Sequence, residues 1–273
     1  MKNSKILVPT DFTAAADCAL DHAAHLAMTF NSEIVLLHVV AKEKEVADAQ
    51  FKVDAMIKKL AKKGDGSTPM SAMVRVGNIF DDIGAAAAAA EATLIIMGTH
   101  GVKGIQNITG SYALKVITNS KIPFIIVQNK TVKQTYGRIV LPLNLSKETK
   151  QKVELATEMA KNFNSKMHII TPKETDDFLL KTLNHNLAFA IRHFKSNNIE
   201  YMTHTAEGKK DFADEVIKFA ISVDADMISI VNFEGGGGMN LFGSGYEQKI
   251  ISNNAHIPVM CVNPPKARYG MST

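Results

Sequence analysis

The chain of 273 residues has 46% hydrophobic and 21% charged side chains, a globular balance that excludes a disordered or fibrous protein. Lys+Arg 31 against Asp+Glu 27 leaves a net charge of +4 spread along the chain, too mild to argue for nucleic acid but compatible with an anionic small ligand. Cys18 and Cys261 belong to no CxxC motif and cannot build a disulfide framework, so both are expected to be small buried hydrophobes.

Met1 to Lys5 leads directly into Ile6-Leu7-Val8, and no apolar run reaches about 18 residues. The expectation is a cytoplasmic protein that is neither secreted nor membrane-spanning. Lys5 to Pro9 is a short β-branched run suited to a strand buried on both faces. Thr13 is placed to cap a helix whose Ala16, Ala19, Leu20, Ala23 and Ala27 share one face, with Asp17 and Asp21 turned away. A second strand follows at Glu33 to Val40, then a helix through Val46, Val53, Ile57 and Leu60. Met70 to Val76 predicts a third strand, and Phe80 to Glu91 a helix whose run Ala85 to Ala90 allows close packing on a sheet. Thr93 to Met97, Ser111 to Asn119 and Pro123 to Val127 complete the series as strand, helix and strand.

The series then repeats. Lys5-Ile-Leu-Val-Pro-Thr-Asp-Phe-Thr13 aligns with Arg138-Ile-Val-Leu-Pro-Leu-Asn-Leu-Ser146 at a shift of 133 positions (138 − 5). The same shift superposes Phe30-Asn31-Ser32 on Phe163-Asn164-Ser165 and Gly110-Ser111 on Gly243-Ser244. Strands are predicted near 138–142, 166–171, 199–205, 226–231 and 258–262, with a helix after each of the first four. Alternation at this spacing predicts right-handed βαβ units, and so two tandem doubly wound α/β domains, each a parallel sheet with helices on both faces. The domains are expected to span 1–130 and 137–273.

In open parallel sheets ligands bind beyond the carboxyl ends of the strands, where the winding direction reverses. The residues there are Thr10-Asp11-Phe12, His38-Val39-Val40 and Gly98-Thr-His-Gly101. Gly98, Gly101 and Gly104 precede a helix opening at Gly110-Ser111, an arrangement suited to phosphate. Spacing alone serves equally well a loop whose glycines only shape the crossover, with Ser111 as a helix cap.

The motifs add specificity. Ile6-Leu-Val-Pro-Thr-Asp-Phe12, Leu36-Leu-His-Val39, Leu94-Ile-Ile-Met-Gly-Thr-His-Gly101, Gly110-Ser111 and Ile122-Pro-Phe-Ile-Ile-Val127 resemble a universal stress protein domain. With weaker counterparts in the second half, the whole chain resembles the tandem form of that family. The resemblance implies five-stranded sheets in the order 3-2-1-4-5, pairing of the two halves through their fifth strands as an intrachain pseudo-dimer, and a homodimer of chains. It also implies binding of an adenine nucleotide (ATP, AMP or ADP, with or without Mg²⁺) and a regulatory role in stress response, exerted through conformation or partners. Gly98, Gly101, Gly110, Ser111 and the backbone of Tyr112 would surround the phosphates, with Asp11 and Val39 on the adenosine side. Pro9, Thr10, Met97 and His100 complete the implied site. The family's ATP-binding pattern, Gly-x2-Gly-x9-Gly-Ser/Thr, meets here a loop one residue shorter, with eight residues (102 to 109) before Gly110.

In the second half Asn144 replaces Asp11, and Val231-Asn-Phe-Glu234 replaces Gly98-Thr-His-Gly101. A carboxylate repels phosphate and valine adds bulk, so this half is expected to be a degenerate partner that does not bind ATP. Gly235 to Gly238 and Gly243-Ser244-Gly245 could cradle some other anion, but a mobile loop is the favoured reading. No GxxxxGK[ST] loop and no GxGxxG after the first strand is present, so a nucleotide-cleaving enzyme is the weaker alternative. A ligand-free interaction protein is the other alternative. His22 and His25 are expected on a half-exposed helix face rather than at a metal, and His38 at a strand end in a packing role. Lys58-Lys59 and Lys62-Lys63 suit the negative end of their helix.

Overall fold

The computed structural model describes residues 4–63, 67–99, 110–128, 136–143, 145, 149–231 and 245–262. The first half runs β1 (Lys5–Pro9), α1 (Ala14–Phe30), β2 (Glu33–Val40), a 3-10 turn (Glu43–Glu45), α2 (Val46–Lys63), β3 (Met70–Val76), α3 (Ile79–Ala89), β4 (Ala92–Thr99), α4 (Gly110–Thr118) and β5 (Phe124–Gln128). The second runs β6 (Arg138–Pro142), α5 (Thr149–Phe163), β7 (Lys166–Thr171), α6 (Asp177–Ser196), β8 (Tyr201–Thr205), α7 (Phe212–Ser222), β9 (Met227–Val231), α8 (Tyr246–Ile251) and β10 (Val259–Val262). The predicted elements are all present, with ends displaced by one or two residues at several of them.

The helix boundaries follow from local chemistry, and the repeat preserves that chemistry. The Thr13 side chain accepts a hydrogen bond from the Ala16 amide at the start of α1. Asn78 caps α3 through the amides of Phe80 and Asp81, and its repeat counterpart Asp211 caps α7 through Ala213. Asn31 after α1 and Asn164 after α5 both take left-handed backbone, at φ 51 and φ 52. Glu91 and Asp224, also 133 positions apart (224 − 91), do the same before β4 and β9.

All strands join one ten-stranded sheet in the order β3-β2-β1-β4-β5-β10-β9-β6-β7-β8. Within each half the pairing is parallel and the order is 3-2-1-4-5, while β5 and β10 meet antiparallel. Their register is Val259 opposite Ile126, Met260 opposite Ile125 and Cys261 opposite Phe124. Aligning Ile122-Pro123 with Ile257-Pro258 gives a local shift of 135 (257 − 122), which makes Ile125 and Met260 equivalents. The pairing is therefore symmetric about that pair, and a pseudo-twofold axis passes through it. On one face the counterparts Phe30 and Phe163 meet edge to face at 5.1 Å. On the other, α4 packs against α8.

Two apolar clusters cover the faces of the sheet, and each draws on both halves. One includes Leu7, Val35, Met97 and Ile126 together with Ile228, Val259 and Ile250. The other includes Ile6, Leu26 and Phe30 together with Leu141, Met159 and Met260. Cys18 and Cys261 are buried, as expected, and form no disulfide with each other; the Cys18 thiol donates to the Gln128 carbonyl. Among the described residues no helix is long and apolar enough to cross a membrane, and no group of three or more His, Cys, Asp or Glu could hold a metal ion.

One expectation is overturned. His22 is not on a half-exposed face; it is 4% exposed, and its Nδ1 lies 2.8 Å from the Tyr136 hydroxyl. Tyr136 is fully buried and packs edge to face on Phe163, so the segment leading into β6 supplies the aromatic cover that the helix pattern alone could not reveal.

Burial, with His25 nearby, pushes the His22 ring down from 6.5 to about 4. Between those values the unfolded chain binds a proton that the fold refuses. The stability contributed by the neutral ring is thus present above pH 6.5 and is lost as pH falls toward 4, by about 3 kcal/mol. Urea titrations at pH 7 and pH 4.5 should show a smaller acid-induced loss in His22→Gln than in the wild-type chain. Equal losses would remove His22 as the titrating group.

Candidate functional site

The crevice lies where β1 leaves the sheet between β2 and β4. Thr10 extends the ladder by one bond, donating its amide to the Leu37 carbonyl at 2.8 Å. Its other polar atoms are also used within the protein. The Thr10 carbonyl meets His38 Nδ1 at 2.7 Å, while Oγ1 accepts from the Phe12 amide and donates to the Met56 sulfur. His38 packs on the Phe12 ring at 4.5 Å, consistent with the packing role expected for it.

Asp11 is exposed at the mouth of this turn. Its Oδ1 accepts from the Thr13 amide at 3.1 Å and the Thr13 hydroxyl at 2.5 Å, which fixes the carboxylate and leaves Oδ2 for a ligand. Phe12 takes φ 64, a left-handed conformation that a bulky side chain adopts only under constraint. The Thr10 hydroxyl, the Asp11 carboxylate and the His38 ring together hold that turn.

Continuing the registers shows what shares the row with Asp11. Pro9 pairs with Leu37, so position 11 falls beside Val39; Leu7 pairs with Ile95, so position 11 falls beside Thr99. Val39 pairs in turn with Arg75, and Thr99 with Gln128. The row across the carboxyl ends is therefore Arg75, Val39, Asp11, Thr99 and Gln128. Strand alternation sets Arg75 with Met73, and Thr99 with Met97, on the face covered by α3 and α4. Gly110 opens α4 on that same face.

Three residues in the row, Arg75, Thr99 and Gln128, were not among the site residues expected from the sequence, and the first two have unmet polar atoms. Thr99 is 1% exposed and its Oγ1 has no hydrogen-bond partner; the Arg75 Nη1 is also buried without one. Buried donors left unmet destabilise a fold by about 1–3 kcal/mol each, and they mark places where a ligand atom would be welcome. Three strand spacings separate the two residues, about 14 Å, the reach of a nucleoside with its first phosphate. The sequence signal was present in Thr99, inside the glycine motif, but nothing in the pattern showed that its hydroxyl is unmet.

Gly98 takes a role that spacing left open. A Cβ built there would lie 2.0 Å from the Ala15 carbonyl oxygen and 2.3 Å from its carbon, so the missing side chain lets the first turn of α1 rest against β4. Met97 is buried in the core and Pro9 is half-buried, so each offers a ligand chiefly its backbone. His100 and Gly101 lie outside the described residues, as do Asn144 and 232–244 of the second half; of Gly110, Ser111 and Tyr112 only the backbone, at the start of α4, is described.

The second half is built differently at the matching point. Lys152 stands where α1 has Ala19 (152 − 133 = 19). It is 3% exposed and donates its ammonium to the Pro142 carbonyl at 2.5 Å, at the strand end equivalent to Pro9.

A family model, described as the Universal stress protein family, matches residues 2–128. The fold of the whole chain is similar to that of a universal stress protein from Archaeoglobus fulgidus, at 16% identity over 97% of this chain and 98% of that chain, with a TM-score of 0.73. It is also similar to a Pseudomonas aeruginosa structure described as a candidate universal stress protein, at 17% identity over 96% of this chain and 94% of that one, with a TM-score of 0.64. An Archaeoglobus fulgidus universal stress protein solved in complex with dAMP matches at 23% identity over 46% of this chain and 98% of that one; its TM-score of 0.37 is too low to bear on this chain's ligand. No curated protein matches.

The Gly98 geometry has a direct consequence. Gly98→Ala should lower the stability of the ligand-free protein by about 3 kcal/mol in a urea titration, because backbone rather than a side-chain tip must move. An unchanged midpoint would show that α1 yields freely and that Gly98 has no packing role.

Proposed function

We propose, from the premise that residues 2–128 belong to the universal stress protein family, that the first half binds an adenine nucleotide in the crevice beyond β1 and β4. ATP is the nucleotide proposed, with AMP and ADP as related ligands. The observation that carries the reading is the pair of unmet polar atoms, Thr99 Oγ1 and Arg75 Nη1, in one row with Asp11 and Val39. Asp11, already anchored by Thr13, is suited to accept hydrogen bonds from a ribose. The start of α4 at Gly110 offers amides and a positive dipole end to phosphate on the same face.

The role proposed for the bound nucleotide is regulatory, in stress response, with output through conformation or partners and with two chains pairing as a homodimer. A cytoplasmic location accords with two buried thiols that are not joined in a disulfide. The domain limits proposed are 1–130 and 137–273, the second half serving as a partner that does not bind ATP. Lys152 at the end of β6 supports that division, since it brings the protein's own side chain to the strand end where the first half has only alanine.

A threonine-to-valine exchange separates function from folding here. Thr99→Val removes an unmet hydroxyl at nearly constant volume, so the ligand-free protein should hold its stability or gain about 1 kcal/mol. By calorimetry, nucleotide affinity should fall about five- to thirtyfold, the equivalent of one lost hydrogen bond. Asp11→Ala should weaken adenosine as well as ATP. Unchanged affinity for both ligands in both variants would reject this crevice as the binding site.

A further inference from the structure

The second half departs from the first at one more place, along the outer edge of its sheet. His168 of β7 takes the position of Val35 (168 − 133 = 35), and the strand registers put Met202 and His204 of β8 where β3 has Ser71 and Met73. Phe219 of α7 stands where α3 has Ala86 (219 − 133 = 86). In the first half Val35, Met73 and Ala86 pack in one apolar cluster. The same corner of the second half carries two imidazoles, a thioether and an aromatic ring.

These side chains share one face of the sheet. His168 pairs with Met202 and Ile170 with His204, so strand alternation sets all three donors on the side where Ile170 and Phe219 pack. With strands about 4.8 Å apart and about 6.6 Å between alternate residues of one strand, the three Cα atoms lie within about 8 Å of one another. Imidazole and thioether side chains can converge on one ion across that span. Because β8 ends the sheet, Met202 is 54% exposed and His204 is exposed, which gives entry from solvent. His168 lies beneath them, 7% exposed, and its Nε2 is buried without a hydrogen-bond partner. Such an atom costs stability until a ligand meets it. Phe219 braces both rings, stacked on His204 at 4.5 Å and edge-on to His168 at 6.3 Å.

The donor set selects the ion. Burial, with the Lys166 and Arg138 charges nearby, pushes the His168 ring below its ordinary range, so it is neutral at pH 7, the state a metal requires. Lys166 is paired with Glu200 and Arg138 with Asp224, which limits their repulsion of a cation. Among the described residues no carboxylate, cysteine or third histidine completes a metal site with these two imidazoles, so the third donor is the Met202 sulfur. Thioether and imidazole together suit a soft monovalent ion, Cu(I), better than Zn²⁺ or a hard cation. Met202 is unbranched, so its sulfur can swing over His168 without moving the backbone. We propose that His168, Met202 and His204 bind one Cu(I) ion at the outer edge of the second half, a site separate from the nucleotide crevice of the first.

The test titrates the full chain with Cu(I), without oxygen, against the chromogenic chelator bicinchoninate. One Cu(I) per chain should be taken from the chelator, and the His168 and His204 ring signals should shift together by NMR. Zn²⁺ at the same concentration should not displace it. His168→Val places the first half's residue here and removes an unmet nitrogen, so the ligand-free protein should keep its urea midpoint. Its Cu(I) affinity should fall by more than the roughly tenfold that a merely supporting residue costs. Met202→Leu, an exposed change of similar size, should weaken Cu(I) as much, whereas His204→Met keeps a soft donor and should retain affinity within about tenfold. No Cu(I) taken from the chelator, Zn²⁺ bound as tightly as Cu(I), or unchanged affinity in either His168→Val or Met202→Leu would overturn the proposal.

Discussion

The antiparallel pairing of β5 with β10 is the contact on which the rest of the architecture depends. Each half ends its parallel sheet in a strand so apolar that, as a free edge, it would recruit other chains. Setting one against the other about the Ile125–Met260 pair satisfies both edges at once and makes a single sheet of ten strands. The two apolar layers then run unbroken across the seam, so the halves share their cores rather than merely touching.

The same pairing decides where ligands can sit. Strands within a half are parallel, and the halves run in opposite directions, so the two carboxyl-end crevices lie at opposite edges of the common sheet. The first half's carboxyl end therefore adjoins the second half's amino end, where Gln128 of β5 and Asp226 before β9 border one concavity. Gln128 links these regions directly: its backbone pairs with Thr99 in the crevice row, and its side-chain amide donates to the Ile251 and Asn253 carbonyls at the end of α8. A change at the first half's crevice thus has a short covalent and hydrogen-bonded route to the second half.

The sequence exposed most of the fold because its signals are local. A β-branched run such as Lys5 to Pro9, an alanine face on α1 and the cap at Thr13 each declare their element without reference to distant residues. The 133-residue repeat then supplied the architecture, and capping pairs such as Asn78 and Asp211 show how closely it is kept. What stayed hidden depends on contacts far apart in the chain. Burial of His22 requires Tyr136, 114 residues away. The packing role of Gly98 requires the backbone of Ala15, and the unmet atoms of Arg75 and Thr99 emerge only when five strands are laid side by side. The crevice was legible as a place, since the switch-point rule names Asp11 and Val39, but its polar ends were not.

The division of labour between the halves is the central claim, and stoichiometry tests it most directly. Native mass spectrometry of the protein purified without added nucleotide, followed by titration with ATP and Mg²⁺, counts ligands per chain. The account predicts one nucleotide per chain, lost in Gly110→Val and kept in Gly243→Val. No nucleotide at any ATP concentration, or two per chain with one lost in each variant, would contradict it.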